Sequence, residues 1–191
     1  MKKFLLLFVF VFMCFTSKAQ KITEYESFIR KNFPEYVQNF PNLDFKKFTA
    51  ETFQEPILEN FETMNSKEWK EYLKFEKDYL LYNSAKNIAV NIDTGGDIDQ
   101  DVRLFTIANK RNYRINFCGS ICRIEELKWI DNDTFVMVGN YEDMESEKRH
   151  FFPMIQVADL KKNIKTTFIN KVNFSEKFYI GKMFKKRNAD D

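Results

Sequence analysis

The chain has 191 residues, with 30 basic and 28 acidic side chains, three cysteines, one histidine and 22 phenylalanines. That length suits one packed domain, and the near balance of charge excludes nucleic-acid binding through a strongly basic surface. Nothing is low-complexity, and no Gly- or Pro-rich linker divides a chain with only five glycines and four prolines.

Lys2 and Lys3 precede an uninterrupted apolar run from Phe4 to Phe15, and Ser17-Lys18-Ala19 puts small residues at minus three and minus one of a cleavage site. This order predicts a bacterial-type signal peptide over residues 1–19, removed to leave Gln20 at the new N-terminus. A helix of about 12 residues spans about 18 Å against about 30 Å of hydrocarbon, so the run is too short for a membrane anchor. A lipoprotein reading on Cys14 meets bulky Met13 before it and no polar spacer after it. Loss of Lys2, Lys3 and Lys18 from the 30 basic residues leaves 27 against 28 acidic ones. The expected location is the periplasm or the exterior, with no membrane-spanning segment after cleavage.

Residues 20–83 read as a helical N-terminal region. Thr23 caps a first helix running to Phe33, which Pro34 stops; Asp44 or Asn42 caps a short second one over 45–53. Pro56 fits the first turn of a helix carrying Ile57, Leu58 and Phe61. Asn65 followed by Glu68 forms a capping box. Behind it Trp69, Tyr72, Leu73, Tyr79 and Leu80 share one face at helical spacing, which marks a core face.

From residue 84 to 172 the period changes to two. Segments 88–92, 102–108, 113–118, 121–130, 134–140, 152–157 and 165–172 read as strands, joined by Gly95-Gly96, Asn109-Lys110, Gly119-Ser120, Asp131-Asn132-Asp133 and Lys161-Lys162-Asn163. Short joins favour an antiparallel meander. Phe135 to Val138 is apolar on both faces and so belongs to a central strand. The rhythm of Leu127-Lys128-Trp129-Ile130-Asp131-Asn132-Asp133-Thr134-Phe135-Val136-Met137-Val138-Gly139 resembles the strands of β-propeller blades. Blades of about 40–45 residues need at least four copies, and about 90 β residues hold two, which excludes a complete propeller. The expected fold is α+β, with the helices on one face of a single antiparallel sheet of about six or seven strands, forming one domain. The stretches 96–104 and 117–139 also resemble small uncharacterised exported bacterial proteins, a resemblance that implies no activity.

Cys118 and Cys122 remain after cleavage, an even number in an oxidising compartment. With Gly119-Ser120-Ile121 as a three-residue hairpin loop they face each other across two strands, within reach of a disulfide. The spacing is one residue longer than a redox-active Cys-x-x-Cys, and His150 alone is available as an imidazole for a metal site.

Ile92-Asp93-Thr94-Gly95-Gly96-Asp97 is similar to the active-site loop of retropepsin-like aspartic proteases, and Val136-Met137-Val138-Gly139 to that family's later apolar-apolar-Gly element. The resemblance implies Asp93 as a catalytic carboxylate in a homodimer, since one Asp-Thr-Gly is present and the chemistry shares a proton between two acids. The plainer reading is a hairpin turn on Gly95-Gly96. Asp93, Asp97, Asp99 and Asp101 also offer carboxylates to calcium, although an EF-hand would need Gly and Glu where Val102 and Ala108 stand. Glu125 with Glu126, and Asp131 with Asp133, are further acid pairs without distinguishing spacing, and His150 lacks a nucleophile motif beside it.

The last segment, 173–191, is a basic tail. From residue 161 onward nine basic residues meet only Glu176, Asp190 and Asp191. Lys182, Lys185, Lys186 and Arg187 therefore suit an acidic partner or anionic headgroups. The leading expectation is a non-enzymatic exported protein that binds a protein, glycan or envelope partner. A hydrolase acting through Asp93 and a calcium-stabilised domain stand as alternatives.

Overall fold

The computed structural model describes residues 21–51, 55–92, 99–144, 148–182 and 184–185. Among the described residues ten strands form two antiparallel five-stranded sheets. The strands are β1 (Thr49–Ala50), β2 (Phe61–Thr63), β3 (Leu81–Tyr82), β4 (Ile88–Asn91), β5 (Gln100–Thr106), β6 (Arg111–Cys118), β7 (Cys122–Trp129), β8 (Thr134–Glu142), β9 (Phe151–Asp159) and β10 (Ile164–Ile169). The front sheet runs β2-β6-β5-β4-β3 and the back sheet β1-β10-β9-β8-β7. The helices are α1 (Glu26–Asn32), α2 (Pro34–Asn39) and α3 (Ser66–Glu76), with short 3-10 turns at Ile22–Tyr25, Phe45–Lys47 and Lys77–Tyr79.

The seven strands expected after residue 84 are all present, and β8 is central, between β7 and β9. The single sheet is corrected to two. The sheets face each other across a core in which Val90, Val102, Leu104, Tyr113 and Ile115 of the front meet Ile124, Leu127, Phe135, Met137, Met154 and Ile169 of the back. The alternate residues Val136, Val138, Ile155, Val157 and Phe168 point the other way, onto Ile29, Phe33, Tyr36 and Phe40 of the helical layer. On the outer face of the front sheet, Ala89 and Phe105 take Trp69 and Leu80, with Tyr72 and Leu73 alongside. The result is helix, sheet, sheet, helix. A sheet buried on both faces needs near-continuous apolar runs, which β8 supplies from Phe135 to Gly139 and β9 from Phe151 to Ile155.

Local chemistry sets the helices. The capping box is present: the Asn65 side chain accepts from the Lys67 and Glu68 amides, and Glu68 accepts from the Asn65 amide. Such a cap is worth about 1 kcal/mol. Pro34 opens α2, where its missing N–H costs nothing. Asp44 caps only the 3-10 turn Phe45–Lys47, after which the chain extends into β1. The helix expected behind Pro56 is absent. Both Ile57 and Leu58 amides are taken by the Asn163 side chain, and Phe61 lies in β2. The N-terminal region thus lends each sheet edge strands.

Two bulges break the period of two. One lies in β6 opposite Val102/Arg103 and the other in β7 between Ile124 and Glu126. The second lets Ile124 and Leu127, three apart, both face the core. Glu125 and Glu126 then both turn outward, where they are 1 % and 9 % exposed. Gly139 tolerates this because an added Cβ there would sit 1.9 Å from the Arg123 carbonyl oxygen. Ile124 at the bulge uses its backbone N–H and C=O on the Gln100 side chain of the front sheet, at 2.7 and 2.7 Å. Buried backbone groups need such partners.

Candidate functional site

The start of β7, the end of β8, the start of β9 and the end of β10 lie together at one end of the back sheet, as the pairs Cys122–Tyr141, Tyr141–Phe152 and Met154–Ile169 show. Three connections emerge there: the Gly119–Ile121 turn, the β8–β9 loop and the turn after β10. The first is pinned. Cys118 and Cys122 form a disulfide with Cα atoms 5.1 Å apart. The pairing is as the sequence implied, but its setting is corrected. β6 and β7 belong to different sheets, so the bond clamps the corner where the chain passes from front to back, rather than bridging a hairpin.

Exposed apolar side chains gather on these connections. Ile121, Met144, Val172 and Phe174 are between 38 % and 67 % exposed. The His150 ring packs on Phe174 at 4.2 Å, and the Asp143 amide donates to the His150 carbonyl at 2.9 Å, closing the β8–β9 loop on itself. Arg149 grips Glu142 with two nitrogens at 2.5 and 2.8 Å. The guanidinium holds that carboxyl below its ordinary value. Between the pinned turn and this loop is a cleft of about 260 Å³, lined by Gly119, Ser120, Ile121, Cys122, Arg123, Asn140, Glu142, Arg149 and Phe178. Its lining offers guanidinium, amide, hydroxyl and carboxylate groups beside two apolar side chains. Groups of that kind can offer a ligand both hydrogen bonds and apolar contact.

The back of the site is held by the C-terminal segment. Ser175 exchanges both backbone hydrogen bonds with Phe151. The Asn140 side chain does the same for the Tyr179 backbone, at 2.9 and 3.0 Å. The Tyr179 hydroxyl donates to Glu126, and the Gly181 amide donates to Glu125 at 2.9 Å. Tyr179 packs among the helical layer and Phe184 in the core between the sheets. The segment therefore wraps around β7, an edge strand, with Gly181 at the crossing. A covered edge is protected from pairing with other chains. Burial, and then the Glu126 carboxylate, push the Tyr179 hydroxyl well above its ordinary value.

The sequence candidates fall as follows. Asp93 and Asp97 lie outside the described residues. Asp101 is engaged by Arg103 and Arg114 at 3.2 and 2.9 Å, while Asp99 stands just before β5. Among the described residues no group of three or more His, Cys, Asp or Glu side chains converges as metal ligands. Glu125 and Glu126 converge, but on the C-terminal segment. Asp131 accepts from the Asp133 and Thr134 amides in the β7–β8 turn, and Asp133 pairs with Lys161. Lys182 and Lys185 both reach Glu35 on α2, at 3.3 and 2.9 Å. Lys186 and Arg187 lie outside the described residues. Among the described residues no helix is long and apolar enough to cross a membrane.

Sequence reasoning missed the cleft, whose walls come from connections distant in sequence. The one available signal was the spacing of Ile124 and Leu127 around two acids, which no straight strand with one buried face accommodates. Comparisons with family models, with curated proteins and with solved structures return no match.

Proposed function

We propose that the chain is an exported, non-enzymatic binding protein of the bacterial envelope that engages its partner through the disulfide-pinned end of the back sheet. The observation that carries this reading is that Ile121, Met144, Val172 and Phe174 are exposed on connections that share one end of the back sheet, where Ile121 also lines a small cleft. Clustered exposed apolar side chains with a polar rim are the mark of an interaction site. The scaffold beneath them is rigid: two packed sheets, a corner disulfide and a wrapped edge. Export rests on residues 1–19 and on a disulfide that needs an oxidising compartment.

The test compares the native chain with a Val172→Ser/Phe174→Ser variant expressed at equal level in the source cell. The native protein should remain with the envelope fraction after cell disruption, and the variant should move to the soluble fraction with its melting temperature unchanged. Equal partition of the two forms would sink the proposal.

A further inference from the structure

A separate surface lies on the outer face of α3, the helix that covers the front sheet. An open groove of about 510 Å³ is lined by Met64, Glu68, Glu71, Tyr72, Phe75 and Glu76. Helical spacing explains the set: 68, 71, 72, 75 and 76 are three or four residues apart and share one side of the helix. Three carboxylates surround three apolar side chains. Phe75 is 69 % exposed, an unusual position for a phenylalanine on a helix whose other face is already committed to the front sheet. The groove is firm at its base. Tyr72 packs on Phe105 at 4.9 Å and on Trp69 at 5.9 Å, and Asn91 donates to the Tyr72 hydroxyl and to Glu76 at 2.8 and 3.1 Å.

We infer that this groove docks a basic peptide segment, with a lysine or arginine side chain seated against Phe75 between the glutamates. Charge complementarity and the exposed ring select this occupant. An aromatic face attracts a cation within about 6 Å of its centroid, and carboxylates beside it add Coulomb attraction that a neutral or acidic segment would forfeit. Phe75 already serves this way on its other flank, where the Lys74 amine stands 5.3 Å from the ring centroid. Lys67, Lys70 and Lys74 line the adjoining flank with Glu71, while the groove's own lining carries Glu68, Glu71 and Glu76 and no cation. The mature chain as a whole is close to neutral, so general attraction of cations to the protein is weak and the local groove dominates.

The experiment is calorimetric titration of the mature chain with acetylated, amidated hexalysine at low ionic strength, with hexaglutamate as the control. Hexalysine should bind and hexaglutamate should not. Phe75→Ala and Glu71→Gln, both at exposed positions, should each weaken hexalysine by about 3- to 5-fold. The Val172→Ser/Phe174→Ser variant should bind it as the native chain does. Absence of hexalysine binding, or binding that Phe75→Ala and Glu71→Gln leave unchanged while melting temperatures stay constant, overturns the inference.

Discussion

Replacing Gly181 by alanine tests how tightly the C-terminal segment is bound to the β7 bulge. An added Cβ would lie 2.1 Å from the Glu125 carbonyl oxygen, 2.7 Å from its carbon and 2.7 Å from Glu126 Cγ. The first two are backbone atoms of a strand fixed by β8 and Gln100, so the segment must lift rather than the strand yield. Lifting breaks the Gly181 amide bond to Glu125, a charge-assisted hydrogen bond worth about 1.5–3 kcal/mol. Overpacking of a close contact costs about 1–3 kcal/mol where it is only partly relieved. A destabilisation of about 3 kcal/mol is expected, which lowers the melting temperature of a domain this size by about 6–12 °C. Gly119→Ala is the matched control, because its Cβ would meet nothing closer than the Asp99 carboxylate at 3.8 Å. Thermal unfolding followed by circular dichroism gives both values. A Gly181→Ala chain melting within about a degree of Gly119→Ala would refute the wrapped-edge account.

Gln100→Leu leaves the buried N–H and C=O of Ile124 without their partners and should cost about 2–4 kcal/mol in urea unfolding; a cost under about 0.5 kcal/mol would contradict the role assigned to this side chain. Cys118→Ser/Cys122→Ser opens only a very short loop and should lose about 2 kcal/mol of stability, with the fold retained in the near-ultraviolet spectrum. Burial raises the hydroxyls of Tyr36, Tyr72 and Tyr179 above an ordinary value of 10.0. Above that pH the unfolded chain sheds protons that the folded chain keeps, so stability falls as pH rises, by about 4 kcal/mol per pH unit for the three together. Alkaline unfolding should therefore begin steeply just above pH 10 and soften in a Tyr72→Phe variant, whereas an unchanged pH profile in that variant would argue against its burial.

How far the fold was legible depends on the range over which each feature is determined. The strands β4 to β10 showed because period two and turn residues are local. The Asn65–Glu68 cap showed because its partners are three residues apart. The division into two sheets did not show, because a corner and a hairpin use the same short turn, and the Cys118–Cys122 spacing fits either. Strands β1, β2 and β3, two or three residues long, are too short to display a period. Thr49 and Phe61 meet edges supplied from far along the chain, at Ile169 and Tyr113, whereas Leu81 pairs with the nearby Val90. The basic tail was legible as charge, but Tyr179, Gly181 and Phe184 fasten it into the fold, and Glu35 takes two of its lysines. Of the candidate site, only the disulfide could be foreseen. The cleft depends on which loops share an end of the sheet, which is a property of topology rather than of any segment.

The polar cluster between the sheets has the same long-range origin. The Lys165 side chain, 2 % exposed, donates to Asn116 at 2.5 Å and pairs with Glu55 at 2.7 Å, while Gln156 donates to Asn116 and Thr167. The β6 bulge is what turns Asn116 inward to meet them. Burial lowers the Lys165 amine from its ordinary value against the pull of Glu55. A buried network of this kind, which leaves Gln156 Oε1 without a partner, fixes how the sheets sit on each other more than it adds to stability.

The binding proposal is tested most directly by placing a photo-crosslinking residue, one at a time, at positions 121, 144 and 172, and at position 110 in the β5–β6 turn on the other sheet as the control. On irradiation in intact cells, the first three should give one shared adduct and position 110 should not. No adduct from positions 121, 144 and 172, or the same adduct from all four sites, would contradict a partner bound at the disulfide-pinned end of the back sheet.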